Sequence, residues 1–174
     1  MKKIFLAVAT AAVALFGFTG CEELETKDVF VSIVANFGTT GSMDNLSNAM
    51  TLKSDIENIF VSEMKAAGAV EYPDLTTSVL FKAQTSEKVL KATILTAAEK
   101  ADKAVKTQYG DGTTMNVPDY VDFLDIVVSY NWNSEPTEAV RCVYKEKNNF
   151  ANLIVNTLKI TDNFYGYAKK IYTR

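Results

Sequence analysis

The strongest constraint on the fold is an alternation of apolar and polar residues that begins at Asp28. In DVFVSIVANF, residues 28 to 37, every second side chain is apolar: Val29, Val31, Ile33, Ala35 and Phe37. Successive side chains of a strand point to opposite faces, and β-branched residues favour strands. This segment is therefore predicted to be a strand with one face in the core.

Two later segments have apolar residues at helical spacing instead. Ser54 and Glu57 form an S-x-x-E capping box, which predicts the start of a first helix, and Gly68 is expected to end it. The side chains expected on its buried face are Ile56, Phe60, Met64 and Ala67. A second helix is predicted over about residues 86–105. Its apolar stripe consists of Leu90, Ile94, Ala97, Ala101 and Ala104.

Alternation returns in the segments around these helices. Residues 76–84 are predicted to form a strand, and residues 124–132 and 139–146 a β-hairpin. The tail from Phe150 to Arg174 fits both a helix and strands, and strands are the preferred interpretation. The order of strand, helix, strand, helix and consecutive strands is typical of an α+β fold. We expect a largely antiparallel sheet with two helices packed on one face.

The first 20 residues differ in composition from the rest of the chain. Lys2 and Lys3 precede an uncharged run of 15 residues, from Ile4 to Phe18, which is typical of a signal peptide. An uncleaved N-terminal anchor helix is the alternative interpretation. A membrane-spanning helix needs about 20 apolar residues, however, and acidic residues follow this run too closely to extend it. The length therefore favours a signal peptide.

The run ends in FTGC, residues 18 to 21, where a bulky apolar residue and two small residues precede a cysteine. This pattern resembles the lipobox of bacterial lipoproteins, although Phe18 stands where that family most often has leucine. The resemblance implies that the Cys21 thiol is acylated and that cleavage makes Cys21 the first residue of the mature protein. It also implies that the protein is attached to the membrane by its lipid.

The resemblance, together with the length and periodicity of the rest of the chain, predicts three parts: a signal peptide (1–20), an acidic tether (21–27) and a single α+β domain (28–174). The sequence EELE after Cys21 resembles the surface-export signal of some Gram-negative lipoproteins. A solvated tether is the alternative reading of these acidic residues. The expected location is the outer membrane. The export-signal reading places the domain on its outer face, whereas the tether reading leaves the face open.

Charge and composition disfavour several classes of function. The formal net charge is −3, and removal of Lys2 and Lys3 with the signal peptide changes it to −5. Nucleic-acid binding needs clustered lysine or arginine, so no nucleic-acid partner is expected. The chain has no histidine, which removes the commonest general base and metal ligand. We therefore expect no enzyme activity, no catalytic residues, no metal site and no cofactor.

Cys142 and three aspartates are further candidates for chemistry. Cys142 lies in a predicted strand without a histidine to activate its thiol, so it is expected to be an inert core residue. Asp119, Asp122 and Asp125 recur every three residues. If this stretch began with a helical turn, they would share one side of it, and oxygen ligands so placed could bind Ca²⁺. Their spacing matches no calcium-binding loop, and helix capping with solvated acids is the preferred interpretation.

The stretch YNWN is best suited to hold a ligand. Tyr130, Asn131, Trp132 and Asn133 combine aromatic faces with amide donors and acceptors, as glycan and small-molecule sites do. Trp132 also continues the apolar alternation of its strand, so a core or sheet-edge role is preferred. The sequence thus predicts a lipid-anchored, non-catalytic envelope protein that binds a protein partner or has a structural role. Glycan or small-molecule binding through YNWN is the alternative.

Overall fold

The structure is a computed structural model of the 174-residue chain, and it describes residues 27–72, 77–83, 86–133, 136–147, 152–160 and 172–173. The predicted signal peptide, residues 21–26 of the tether with Cys21, and residues 150–151, 161–171 and 174 of the tail lie outside the described residues. The first described residue, Lys27, already belongs to the first strand, although it was assigned to the tether.

The described residues form seven strands in one sheet, and every neighbouring pair of strands is antiparallel. They are β1 (Lys27–Thr39), β2 (Val70–Glu71), β3 (Ser78–Ala83), β4 (Val121–Tyr130), β5 (Thr137–Lys147), β6 (Asn152–Ile160) and β7 (Tyr172–Thr173), in the spatial order β2-β3-β1-β4-β5-β6-β7. The first strand, the hairpin and the preference for strands in the described part of the tail are confirmed. The short strand β2 was not predicted.

Two helices, α1 (Met43–Ala66) and α2 (Glu87–Gln108), pack against each other and against one face of the sheet. α1 lies mainly on β1, and α2 contacts β5. The core is the layer between helices and sheet, and its fully buried members include Val31, Ile33, Ile56, Phe60, Ile94, Ala101, Ile126 and Val128. The predicted α+β fold, with two helices on one face of an antiparallel sheet, is confirmed.

The two ends of the sheet carry different parts of the chain. Lys27 of β1 lies opposite Ala83 of β3, and Tyr130, the last residue of β4, lies opposite Val31. The start of β1, the start of α2 and the β4–β5 connection therefore share one end of the domain, here called the Lys27 end. The start of α1 and the α2–β4 loop lie at the other end, here called the Thr39 end.

The predicted start of the first helix is wrong. Ser42 is the N-cap, and its hydroxyl oxygen accepts a hydrogen bond from the Asn45 N–H at 3.3 Å. Ser54 is therefore an interior helix residue. The apolar face continues upstream of it through buried Ala49 and Leu52, and packing of this face against the sheet stabilises the additional turns. The predicted end is confirmed, because Gly68 follows the helix with a φ of 107°.

Glu57 bonds to the sheet instead of capping a helix. The N–H of Ile33 points toward β3 and donates to the carbonyl of Thr77, the residue before this strand. The N–H of Ala35 points the same way. The β1–β3 register ends at Ser32, so β3 offers Ala35 no ladder partner. The Glu57 carboxylate accepts this N–H at 2.9 Å, and the residue is only 5% exposed.

None of the described elements covers the opposite face of the sheet. Phe30 and Val34 of β1 are 37% and 44% exposed on this face. Arg141 of β5 forms ion pairs there with Asp125 of β4 and with Glu138. The sheet therefore has one apolar, helix-covered face and one mixed face.

Candidate functional site

Tyr130, the first residue of YNWN, connects β4 to α2. It is 3% exposed, and its hydroxyl donates a hydrogen bond to Glu87 at 2.9 Å. The Lys91 ammonium lies 5.7 Å from the centroid of its ring and 3.0 Å from the same Glu87 oxygen. Burial raises the pKa of the Tyr130 hydroxyl, and the bond to Glu87 raises it further. Tyr130 is therefore neutral at physiological pH and holds the start of α2 on the sheet.

Asn131 and Trp132 contact the start of β1. The backbone N–H of Phe30 donates to the Asn131 side-chain oxygen at 2.6 Å, and the Asn131 N–H donates to the Phe30 carbonyl at 3.1 Å. The Asn131 amide thus extends the β1–β4 ladder by one pair. Trp132 packs at the edge of the core, with the Lys27 ammonium 3.8 Å from a ring centroid. Such a contact contributes roughly 0.5–1 kcal/mol at an exposed position.

The four YNWN residues therefore do not converge on one surface. Tyr130 points into the helix-covered core, Asn131 lies in the plane of the sheet, and Asn133 is exposed to solvent. Their contacts give Tyr130, Asn131 and Trp132 clear structural roles. Ligand binding by these residues stays a prediction.

A groove of about 710 Å³ lies on the outer surface between the end of α1 and the first half of α2. Small side chains form most of its lining, namely Ala66, Ala67, Ala92, Thr93, Thr96 and Ala97. Lys88, Lys100 and Glu63 supply charges, and Val89, which is 49% exposed, supplies an apolar contact. Its volume falls within the roughly 300–1,000 Å³ typical of ligand-binding clefts. The sequence predicts an alanine stripe on the buried side of α2, whereas most of this groove lies on the outer side of the helix.

A second cluster of polar residues lies buried between α2 and β5. The Lys106 ammonium and the Asp102 carboxylate form an ion pair at 2.8 Å, and Lys106 is 1% exposed. Cys142 and Tyr144 of β5 are 1% and 0% exposed. Within the described residues, neither the Tyr144 hydroxyl nor the second Asp102 oxygen makes a hydrogen bond of ordinary geometry. Sequence reasoning missed Asp102 and Lys106, although their i,i+4 spacing beside Ala101 and Val105 places them on the buried face.

Burial determines the protonation of this cluster. Desolvation raises the pKa of the Cys142 thiol well above its ordinary value, and the nearby Asp102 carboxylate raises it further. The pKa of the Tyr144 hydroxyl is likewise raised, first by burial and then by neighbouring acidic groups. A nucleophilic cysteine requires the opposite shift, toward the thiolate. The arrangement therefore stabilises a neutral thiol and a neutral phenol.

The structure does not bring together Asp119, Asp122 and Asp125, the three possible calcium ligands. Asp122 accepts a hydrogen bond from Thr40 at 3.4 Å, Asp125 pairs with Arg141 on the uncovered face, and Asp119 is exposed. They do not share one side of a helical turn, because Asp122 and Asp125 belong to β4. Among the described residues, no group of three or more histidine, cysteine, aspartate or glutamate side chains is arranged to hold a metal ion.

Comparisons with known proteins found no match: no family model, no curated protein and no solved structure is similar to this chain. In the part of the chain that the structure describes, no helix is both long and apolar enough to cross a membrane.

Proposed function

We propose that this protein is a lipid-anchored component of the cell envelope, held at the outer membrane by acylated Cys21 and facing outward. Its domain is non-catalytic and binds an envelope protein through the groove between α1 and α2. The observation that carries the proposal is the position of FTGC, which ends an uncharged run and whose Cys21 lies six positions before Lys27, the first residue of β1. A cysteine at this position is suited to lipid attachment. Several acyl chains anchor a protein durably, whereas one chain anchors it only marginally.

The described part of the domain supports a binding role over a catalytic one. The polar cluster with the most perturbed side chains, Cys142 and Tyr144, lies inside the core and holds both groups neutral. The groove, by contrast, is open to solvent and lined by short side chains over which a partner's larger side chains would fit. Charges at Lys88, Lys100 and Glu63 would orient such a partner.

The lipid anchor is tested by growing cells with an alkyne-tagged fatty acid and measuring incorporation into the full-length protein. The wild type is expected to incorporate the tag, and Cys21→Ala is expected to lose it completely, because the acylated thiol is gone. Cys142→Ala is the matched control, since it removes the only other cysteine, and it is expected to keep full labelling. Label on Cys21→Ala, or none on the wild type, contradicts the anchor.

The binding surface is tested by placing a photo-crosslinking amino acid at Thr96 in intact cells. Thr96 is an exposed residue of the groove, so we expect an adduct of one defined mass. Met50, which is 56% exposed on α1 and does not line the groove, is the control and should give no such adduct. Ala92→Trp fills the groove and should remove the Thr96 adduct at unchanged protein level. Equal adducts at both positions, or none at Thr96, count against a protein partner in the groove.

A further inference from the structure

Two neighbouring rows of residues, each with four-residue spacing, form the α2 side of the groove. The first row is Lys88, Ala92, Thr96 and Lys100, and the second is Val89, Thr93 and Ala97. Long side chains stand at both ends of the first row, and short ones occupy its middle. The groove therefore follows α2 for about 18 Å between the two lysines.

The α1 side of the groove is equally shallow. Ala66 is the last residue of α1 and Ala67 follows it, and both line the groove. Packed helices lie about 8–10 Å apart, depending on the side chains at the contact. Short side chains on both sides therefore allow a third helix to approach closely, with a ridge of its larger side chains in the groove.

The groove offers few hydrogen-bonding groups to the backbone of a partner. The N–H and C=O groups in the interiors of α1 and α2 are bonded within each helix, and the Thr93 hydroxyl donates to the Val89 carbonyl at 3.0 Å. An extended segment buried here would leave its own backbone groups unpaired, which is costly. Such segments add to sheet edges instead. A helix pairs its backbone groups internally, so the groove favours a helical partner.

The charged residues of the groove differ between its two sides. Lys88 and Lys100 are exposed on the α2 side, and Glu63 lies on the α1 side. Two further acids lie near these lysines in the sequence, but Glu87 pairs within the domain and Glu99 does not line the groove. The α2 side is therefore cationic and the α1 side anionic, which suits a partner with separated acidic and basic residues.

We infer that the groove holds an amphipathic helix of the partner protein, with two acidic residues about eleven positions apart that face Lys88 and Lys100. Eleven residues of a helix span about 16 Å and return to the same face, which matches the spacing of the two lysines. A basic residue of the partner helix faces Glu63, and its apolar ridge lies over Ala92 and Thr96. This inference rests on the proposed binding role of the groove and specifies the structure of the bound segment.

The spacing of crosslinks along the partner tests the helix. The photo-crosslinking residue p-benzoylphenylalanine is placed at Val89 or at Thr96 of the full-length protein in intact cells, and mass spectrometry locates the crosslinked residue of the partner. Both positions are exposed, and their seven-residue separation corresponds to about 10 Å along α2. A helix along α2 is expected to be crosslinked at sites about seven residues apart. An extended segment would give sites about three residues apart.

Charge reversal tests the contacts with the lysines. Lys88→Glu with Lys100→Glu should lower the yield of the Thr96 adduct roughly fivefold at unchanged protein level, because both lysines then repel the acidic residues of the helix. Lys82→Glu with Lys103→Glu is the matched control. It makes the same change of charge at two exposed lysines that do not line the groove, and it should leave the yield unchanged.

The outcomes separate the helix from the binding role. Absence of a protein adduct at both Val89 and Thr96 overturns the groove as a binding surface, and the helix with it. Adducts whose sites lie about three residues apart, or whose peptides come from a second copy of this chain, overturn the partner helix and leave binding in the groove intact. An equal loss of adduct in the two charge-reversed variants overturns the assigned lysine contacts. Sites about seven residues apart, together with a loss confined to the Lys88 and Lys100 variant, support the inference.

Discussion

At the scale of single residues, Glu57 shows how a side chain completes a sheet. Its carboxylate accepts the Ala35 N–H at 2.9 Å and lies 2.8 Å from the Lys53 ammonium. A buried backbone N–H without a partner costs about 1–3 kcal/mol, and hydrogen bonds to charged groups contribute more than neutral ones. The bond to β1, buried beneath α1, is therefore worth more than the pair with Lys53, whose side chain is 32% exposed.

We accordingly expect Glu57→Ala to lower the free energy of unfolding by about 2 kcal/mol, because the Ala35 N–H loses its acceptor. Glu57→Gln keeps an acceptor oxygen and should cost less. Lys53→Gln separates the two contacts, since it removes the ion pair alone and should cost under about 1 kcal/mol. Urea unfolding of the three variants measures these differences. A Lys53→Gln variant as destabilised as Glu57→Ala would show that the ion pair dominates.

At the scale of elements, apolar periodicity was sufficient to predict both helices, the main strands and the covered face. Val31, Ile33 and Ile126 alternate because one face of the sheet is in the core, and that requirement is visible in the sequence. The start of α1 was missed because the S-x-x-E pattern of Ser54 and Glu57 also arises inside helices. Here Glu57 lies inside the helix and accepts the N–H of the distant Ala35. A local sequence pattern cannot show this contact.

The candidate site was less predictable than the fold for the same reason. The groove is formed by the end of α1 and the start of α2, which are brought together only when both helices pack on the sheet. Asp102 and Lys106 lie on the core side of α2, where a charged pair is tolerated because each neutralises the other. In YNWN, the aromatic and amide groups suggested a ligand, but three of the four side chains bond within the domain.

At the scale of the whole molecule, the titratable composition determines how stability depends on pH. The chain has no histidine, and histidine is the side chain whose ordinary pKa lies near neutrality. Unfolding free energy should therefore change little between about pH 6 and 8. On the alkaline side, Cys142 and Tyr144 are held neutral in the core with raised pKa values, so stability should decline as the unfolded chain loses these protons.

The unfolding free energy falls with rising pH because the folded chain holds the Cys142 proton more tightly than the unfolded chain does. Below an unfolded-state pKa of about 8.5, the Cys142 thiol is protonated whether the chain is folded or not, and its stabilising effect is complete. Above that pH the unfolded chain loses the proton while the buried thiol keeps it, so stability falls until the raised folded pKa is passed. We expect a loss of about 1.4 kcal/mol between pH 7.5 and 9.5 in urea unfolding. Cys142→Ala should be flat over this interval, whatever its stability at pH 7.5, and should decline only where tyrosine ionises in the unfolded chain, near pH 10. A Cys142→Ala variant with the wild-type slope would show that another group causes the decline.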